Sequence, residues 1–335
     1  MSERLLEVNN LETHFFLKRG VAKAVNGVSF RVNRGEVLGL VGESGCGKSV
    51  TAMSILGLIP NPPGRIVDGE IDFYSRDESG GKTKTDLTKL NHNELREYRG
   101  KRISVILQDP MTSLNPVFSI GNQVSEVFRL HEHLKGTDLL NKVIEVLDRV
   151  RIPNPEIRIK GYPHQFSGGM RQRVAMAMGI GCHPQLLIAD EPTTALDVTI
   201  QAQLLKLLQQ IQREYGMAII LITHNLGIVA RLCDRVCVMY AGRIVEQGGI
   251  RRIFKDPLHP YTKALMDSVP RLGMKEKTLY SIEGQPPNLL NLPAGCSFQP
   301  RCTLADEKCQ REYPPVTLID EEDHVRCWRF AGGKD

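Results

Sequence analysis

The segment from Gly42 to Ser49, GESGCGKS, has the residue types and spacing of a phosphate-binding loop. It matches G-x-x-x-x-G-K-[ST] at every fixed position. Its glycines let successive backbone N–H groups point at one centre, and a helix predicted from about Lys48 to Leu58 adds its positive end. Lys48 would supply a mobile charge for the β and γ phosphates, and Ser49 a hydroxyl for Mg²⁺. The flanking strand and helix disfavour the alternative, a glycine-rich turn that matches by chance. The nucleotide contacts predicted here are Gly42, Ser44, Gly45, Cys46, Gly47, Lys48, Ser49 and Val50.

An acidic pair, Asp190-Glu191, follows the short apolar run from Leu186 to Ala189. A continuous run of this length is typical of a buried parallel strand, and ligands bind at the carboxyl ends of such strands. Asp190 would hold Mg²⁺ through water, and Glu191 would orient and deprotonate an attacking water. The alternative is that the pair only caps the next turn. The complete phosphate loop upstream favours the catalytic interpretation.

A second candidate anion site lies in YPHQFSGGMRQRVAMAMGI, residues 162–180. Ser167 is a good N-cap, and Gly168 and Gly169 remove Cβ atoms where another group must approach the backbone. A helix predicted from near Met170 would expose another positive end. One chain then carries one phosphate loop and one further anion-binding end, so two chains placed head to tail would build two shared sites. An ordinary glycine-containing helix start is the alternative interpretation.

These segments, taken in order, resemble the ATP-binding subunits of ABC transporters. FSGGM, residues 166–170, is similar to the family signature LSGGQ, with Phe for Leu and Met for Gln. Gln108 in ISVILQDP matches the Q-loop, Asp197 in ALDV the D-loop, and His224 in AIILITHN the switch histidine. Several motifs in the family order are a more specific signal than any one of them alone.

The resemblance covers about residues 4–255 and implies a role for each matched residue. Gln108 would reach Mg²⁺ or the attacking water. His224 would donate to the γ-phosphate and hold the geometry around Glu191, so the catalytic set is Glu191, His224 and Gln108. Asp197 would serve communication across a dimer.

Strand-like alternation in LLEVNNLETHFF and GVSFRVNRGEVLGLVG predicts an antiparallel β subdomain beside the nucleotide core. Phe15 falls where the family has an aromatic ring that stacks on adenine, and Phe16 is the neighbouring alternative. The polar segment Ser75–Thr88, SRDESGGKTKTDLT, is predicted to be a surface loop.

Between Gln108 and Ser167 the apolar residues recur at helical spacing. They are Leu139, Leu140, Val143, Ile144, Val146, Leu147 and Val150. The segment resembles the family's helical subdomain, at about residues 112–165, which meets the membrane partner. The resulting fold prediction is α/β: a P-loop (RecA-like) core with an antiparallel β subdomain, a helical subdomain and a small Cys-rich extension. The predicted domains are residues 1–255 for ATP binding and 256–335 for the extension.

The extension begins near HPYT, His259–Thr262, which resembles a stretch typical of the peptide-importer branch of this family. Four cysteines crowd the last forty residues with the spacing C-x5-C-x6-C-x17-C: Cys296, Cys302, Cys309 and Cys327. Structural zinc sites favour closer pairs, whereas four thiolates are the usual ligands of an iron–sulfur cluster. The spacing therefore favours a structural [4Fe–4S] cluster, and the resemblance favours it too. Arg301, Arg326 and backbone N–H groups could offset its negative charge. Zinc, a disulfide and unligated thiols are the alternatives.

Composition limits the function classes. The net charge is +5, from 43 basic and 38 acidic residues, and this weak bias does not indicate a nucleic-acid partner. No apolar run approaches the roughly 20 residues needed to cross a bilayer, and MSERLLEVNN lacks the layout of a signal peptide. We therefore expect a cytoplasmic chain that associates peripherally with the cytoplasmic face of the membrane.

The function that this pattern favours is an ATPase subunit that uses ATP and Mg²⁺ to drive import of dipeptides or oligopeptides. Its expected partners are a second ATPase chain, identical or different, integral-membrane permease subunits, and indirectly an extracellular peptide-binding protein. The alternatives are a non-transport ABC ATPase acting on nucleic acid or ribosomes, and a small-molecule P-loop kinase. The sequence shows no long coiled-coil insertion for the first, and the SGGM segment argues against the second.

Overall fold

The structure is a computed structural model that describes residues 3–76, 81–108, 114–194, 196–268 and 282–331. The chain divides into two compact units. The first comprises Met1–Glu3, Asn33–Glu36 and Leu90–Ile220; the second comprises Arg4–Val32, Val37–Lys89 and Leu221–Asp335. Each unit therefore draws on segments that are distant in the sequence.

A four-stranded sheet forms one part of the second unit, with the strand order β2-β1-β4-β5. Its strands are β1 (Arg4–Leu17), β2 (Gly20–Asn33), β4 (Gly64–Arg76) and β5 (Lys82–Asp86). β4 runs antiparallel to both β1 and β5, as the alternation of the N-terminal segments predicts. The Ser75–Thr88 prediction was wrong, because its described residues largely belong to β4, to β5 and to a 3₁₀ turn at Leu87–Lys89.

The phosphate-loop strand belongs to a second sheet of this unit. β3 (Val37–Val41) pairs in parallel with β9 (Arg235–Tyr240), and all residues of both strands are buried. β10 (Arg243–Gly249) is antiparallel to β9, and β12 (His324–Val325) and β11 (Thr317–Leu318) follow it. Two strands of the C-terminal region thus extend this sheet, which the Pro-rich sequence of that region did not predict.

Short helices accompany these strands in the second unit. They are α1 (Lys48–Ile55), α8 (Leu226–Leu232), α9 (Ile250–Lys255), α10 (Pro260–Asp267) and α11 (Glu307–Arg311), with 3₁₀ turns at Gln299–Arg301 and Trp328–Phe330. α1 ends three residues before the predicted Leu58.

The first unit also contains parallel strands. β6 (Ile103–Ile106) pairs in parallel with β7 (Leu186–Asp190), and β8 (Ala218–Ile222) comes next to β7 in the strand order. The boundary between the units falls within β8, after Ile220. β7 and β8 are buried along their whole length, which explains their continuous apolar sequences.

The remaining helices lie in the first unit. They are α2 (His92–Tyr98), α3 (Ile120–His131), α4 (Gly136–Arg149), α5 (Pro155–Arg158), α6 (Gly168–Ile180) and α7 (Val198–Tyr215), with a 3₁₀ turn at Pro163–Gln165. The apolar stripe predicted on α4 is buried at Leu139, Val143, Val146, Leu147 and Val150. Leu140 is exposed and Ile144 half-buried. The predicted helical part is therefore present, although residues 112 and 113 of its predicted range lie outside the described residues.

The predicted α/β chain with an antiparallel sheet and helical parts is confirmed. In the ranges that the structure describes, no helix has the length and apolar character to cross a membrane. The predicted domain boundary at residue 255 stays a prediction, since the compact units divide the chain on a different basis.

Candidate active site

The phosphate loop joins β3 to α1 in the second unit. Gly42 and Gly47 have backbone φ angles of 151° and 105°, which residues other than glycine rarely adopt. A Cβ on Gly42 would collide with the carbonyl oxygen of Met239, and one on Gly47 with that of Ala24. The close packing of neighbouring backbone against the loop requires glycine at both positions.

Lys48 is buried at the first position of α1, and its ammonium group turns back towards the loop. Its Nζ donates to the carbonyl oxygens of Gly42 and Glu43, at 2.8 and 2.9 Å. Nζ also lies 3.7 Å from the Sγ of Cys46, a buried thiol whose pKa is raised by burial. The loop therefore holds the Lys48 ammonium group among its own carbonyl oxygens.

The other predicted contacts of this loop differ in exposure. Ser44, Gly45 and Ser49 are exposed, and Val50 is half-buried. Ser49 is thus an exposed residue at the start of α1, and its predicted role as a magnesium-binding serine stays a prediction.

Both candidate adenine-stacking residues lie at the end of β1. Phe15 is half-buried beside Gly64, where an added Cβ would lie 2.8 Å from its Cε1 atom. Phe16 is 42% exposed, and the Arg65 guanidinium lies 4.3 Å from its ring centroid. The stacking role of Phe15, with Phe16 as its alternative, stays a prediction.

The acidic pair ends β7 in the first unit. Asp190 is 5% exposed at the carboxyl end of the strand. Glu191 has a positive φ of 45°, which is uncommon for a residue other than glycine and recurs at functional sites.

Glu191 is bonded to the Q-loop glutamine. Its Oε2 accepts from Gln108 Nε2 at 3.0 Å and from Thr194 Oγ1 at 2.8 Å. The structure thus brings together two residues that are 83 positions apart in sequence. Thr194 was missed by the sequence reasoning, although its place three residues after Glu191 in DEPTTALD put it within reach of that carboxylate.

Ser167 forms the N-cap of α6, as its residue type predicts. Its Oγ accepts from the Met170 N–H at 3.3 Å, and the helix begins at Gly168, two residues before Met170. A Cβ on Gly169 would lie 2.7 Å from the Cγ2 of Ile200 in α7. Gly169 therefore permits α6 and α7 to pack closely where both helices begin.

The D-loop aspartate caps α7, because the Ile200 N–H donates to Asp197 Oδ1 at 2.9 Å. His224 lies two residues beyond β8 in the second unit and is exposed. It precedes Asn225, whose side chain caps α8. The predicted site residues are distributed over both units. The phosphate loop and His224 belong to the second unit. Gln108, Asp190, Glu191 and Ser167 belong to the first unit.

The four C-terminal cysteines line one small cavity in the second unit, together with His259 and Trp328 among others. All four are free thiols. The Cys296 N–H donates to the carbonyl of Cys309 at 2.8 Å. Burial raises the pKa of Cys296 to about 11 and raises the pKa of Cys309 and Cys327 as well.

The cysteines do not converge on a single point. Among the described residues, no three or more His, Cys, Asp or Glu side chains are close enough to hold one metal ion. Arg301 donates its hydrogen bonds to Glu43, Tyr240 and two carbonyl groups, and its role in offsetting charge at the cysteines stays a prediction.

Comparison with known proteins gives a consistent assignment. The model of the family "ABC transporter" matches residues 25–194, and that of "Oligopeptide/dipeptide transporter, C-terminal region" matches residues 245–309. The dipeptide transport ATP-binding protein DppD of Bacillus subtilis is 48% identical over 326 residues, covering 97% of this chain and 95% of that protein. The oligopeptide transport ATP-binding protein OppD of Haemophilus influenzae is 48% identical over 327 residues, covering 98% of each chain.

The fold is similar to that of a solved structure described as the dimeric post-hydrolysis state of the ATP-binding cassette MJ0796 bound to ADP and Pi. The TM-score is 0.63 at 22% identity, and the match covers 73% of this chain and 99% of that one. The fold is thus that of an ABC ATPase cassette. The chain belongs to the ABC transporter family and is an ATP-binding, ATP-hydrolysing subunit of the oligopeptide/dipeptide transporter type.

Proposed function

We propose that this chain hydrolyses ATP within a head-to-tail dimer of ATPase chains and thereby drives the uptake of dipeptides or oligopeptides. The observation that carries the hydrolytic part is the Glu191 carboxylate, held by Gln108 and Thr194 directly after the buried Asp190. The transported solute is inferred from the peptide-transport names of the relatives and from the match of the C-terminal region.

ATP would bind with its phosphates on the loop from Gly42 to Ser49. Lys48 would exchange the Gly42 and Glu43 carbonyls for the β and γ phosphate oxygens, which are stronger acceptors for an ammonium group. Mg²⁺ supplies charge neutralisation on the phosphates when it is bound. The Ser49 hydroxyl is an oxygen donor of the kind that Mg²⁺ prefers, Asp190 would hold the ion through water, and Gln108 would add its amide oxygen.

Glu191 would take a proton from the attacking water. Gln108 and Thr194 both donate to Oε2 and so hold the carboxylate that would act as the general base. His224 would donate to the γ-phosphate. Thr194 is then a positioning residue that holds the carboxylate in its orientation.

The dimer would be completed through the exposed start of α6. Ser167, Gly168 and Gly169 would face the γ-phosphate held by the other ATPase chain, where the helix N-terminus stabilises negative charge. The helical part between Gln108 and Ser167 would contact integral-membrane permease subunits. An extracellular peptide-binding protein would deliver the solute, and the complex would place this chain at the cytoplasmic face of the cell membrane.

We further propose a [4Fe–4S] cluster at the four cysteines. Four thiols that line one cavity match its usual ligand set of four thiolates. Bound iron would favour the thiolate forms, whereas burial alone raises the pKa of Cys296, Cys309 and Cys327. The role of the cysteines would be to fix the ends of the Pro-rich extension.

Transport is tested by co-purifying the chain with its permease subunits and measuring ATP-dependent uptake of labelled dipeptides and oligopeptides into proteoliposomes. Uptake that stops in a Glu191→Gln variant supports the proposal. Hydrolysis at the parent rate in that variant would contradict the role of Glu191, and salt-dependent binding of DNA would instead support the alternative function.

The cluster is tested separately by anaerobic purification, iron and sulfide analysis and visible absorption. A brown protein whose absorption disappears in a Cys302→Ser variant supports it. A colourless preparation that contains zinc would refute it.

A further inference from the structure

Glu43 lies at a variable position of the phosphate loop, and three groups of this residue form hydrogen bonds. Its carbonyl oxygen accepts from Lys48 Nζ at 2.9 Å. Its backbone N–H donates to the Tyr261 hydroxyl at 2.9 Å. Its carboxylate forms a two-point ion pair with Arg301, at 2.7 and 2.9 Å. The residue that helps to hold the loop lysine is therefore itself held by the C-terminal region.

The Arg301 guanidinium uses each of its five N–H donors. Besides the two bonds to Glu43, it donates to the Tyr240 hydroxyl at 3.2 Å and to the carbonyl oxygens of Glu283 at 2.9 Å and Ile282 at 3.2 Å. Its side chain is only 4% exposed. A buried and fully bonded guanidinium has one orientation, so it fixes the carboxylate that it binds.

The aromatic side chains around this ion pair form one cluster. The ring centroids of Tyr240 and Tyr261 are 4.6 Å apart, and each lies 5.3 Å from that of Phe298. Tyr261 is in the HPYT segment, Phe298 lies between Cys296 and Arg301, and Tyr240 ends β9. Packing of these rings fixes the Tyr261 hydroxyl and the Arg301 backbone with respect to the loop.

We propose that Arg301 and Tyr261 are positioning residues for nucleotide binding, through which the C-terminal extension holds the phosphate loop in its binding conformation. The inference rests on the proposed binding of nucleotide phosphates by this loop. Two physical effects support it. Bonds to Glu43 reduce the ordering that binding must otherwise impose on the loop. Arg301 also neutralises a carboxylate that would otherwise repel the phosphates.

The experiment measures the dissociation constant of Mg–ADP by calorimetry on the full chain, because ADP binding needs neither Glu191 nor a transport partner. Failure of the proposed hydrolysis or transport therefore leaves this readout intact. The variants are Arg301→Gln, Arg301→Lys, Tyr261→Phe, Glu43→Gln and the double variant Glu43→Gln/Arg301→Gln. The matched control is Arg311→Gln, which breaks an exposed arginine–glutamate pair in the same extension.

We expect Arg301→Gln to weaken Mg–ADP binding about 10-fold, and Arg301→Lys and Tyr261→Phe about 3-fold each. In the double variant the unpaired carboxylate is absent, so binding should return to within about 3-fold of the parent. The control should remain within about 1.5-fold, as exposed pairs contribute little.

Weaker binding in Tyr261→Phe, which leaves the Glu43–Arg301 pair in place, is the result that a merely stabilising ion pair would not give. The proposal is overturned if Arg301→Gln binds Mg–ADP within twofold of the parent, or if the double variant binds as weakly as Arg301→Gln. Thermal melting establishes that each variant is folded. Should Arg301→Gln not fold, parent-like binding by both Arg301→Lys and Tyr261→Phe would overturn the proposal equally.

Discussion

The two candidate phosphate-binding ends of this chain are built in different ways. The loop at Gly42–Ser49 is packed against Met239 and Ala24 and is tied to Tyr261 and Arg301, all of them distant in sequence. The start of α6 is exposed at Ser167 and is capped by its own serine, with one close contact between Gly169 and α7. The loop is therefore supported by distant segments of its own chain, whereas the start of α6 is exposed and is held mainly by local contacts.

Removal of the Lys48 ammonium group should give the largest effect, which is on nucleotide binding. Lys48→Ala removes a charge-assisted contact with the phosphates, so we expect Mg–ADP to bind about 100-fold more weakly. Calorimetry on the isolated chain measures this. Lys142→Ala, which removes a lysine from a surface ion pair on α4, is the control and should bind like the parent.

A negative charge at the start of α6 should slow ATP turnover strongly and leave nucleotide binding by the isolated chain nearly unchanged. An aspartate in place of Gly168 meets only ordinary contacts, the nearest being Leu196 Cδ2 at 3.7 Å, but it puts a negative charge where the neighbouring chain's phosphate is expected. We expect the ATPase rate of the assembled transporter to fall about 50-fold, because the added carboxylate repels the phosphate and keeps it away from the N–H donors of the helix.

The same Gly168→Asp variant should bind Mg–ADP within twofold of the parent when isolated. Asn93→Asp, on the exposed start of α2, controls for the added charge. If Gly168→Asp weakened Mg–ADP binding and the ATPase rate by equal factors, the phosphate loop and the start of α6 would not differ as described above.

A smaller effect is expected from Thr194→Val. The substitution removes one of the two donors to Glu191 Oε2 while the size of the side chain is kept. We expect kcat to fall about 10-fold with KM for ATP within twofold, because a displaced general base slows the chemical step and not binding. Thr194→Ser retains the hydroxyl and should retain kcat; an equally slow serine variant would contradict the positioning role.

The smallest effect concerns stability at the start of α6. Ser167→Ala removes the cap of the Met170 N–H, so the free energy of unfolding should fall by about 1 kcal/mol. Ser167→Gly should lower it by only a few tenths of a kcal/mol, since glycine is tolerated at N-caps. Urea denaturation followed by circular dichroism compares the two. An alanine variant as stable as the glycine variant would show that the serine side chain does not support the helix.

The segments with strong local signals were predicted well from sequence. β7 and β8 are rich in apolar residues because they are buried along their length, and Asp190 is the last residue of β7. Ser167 caps α6 as its residue type predicts. In each case the physical signal lies within a few residues of the feature.

Features that depend on distant residues were missed. Glu43 occupies a variable position of the loop, and nothing nearby indicates that Arg301, 258 positions away, pairs with it. The polar sequence of β5 predicts a loop, yet β5 forms strand pairs with β4, in which Phe73 and Ser75 face Thr85 and Thr83. Backbone hydrogen bonding to a neighbouring strand outweighs the weak intrinsic preference of such a segment.

The most direct test is a structure of the complete transporter with Mg–ATP and the Glu191→Gln substitution in this chain. We expect a triphosphate on the loop of the second ATPase chain, with Ser167 Oγ of this chain within about 3 Å of its γ-phosphate oxygens. A triphosphate enclosed by one chain alone, with Ser167 facing solvent, would contradict the account.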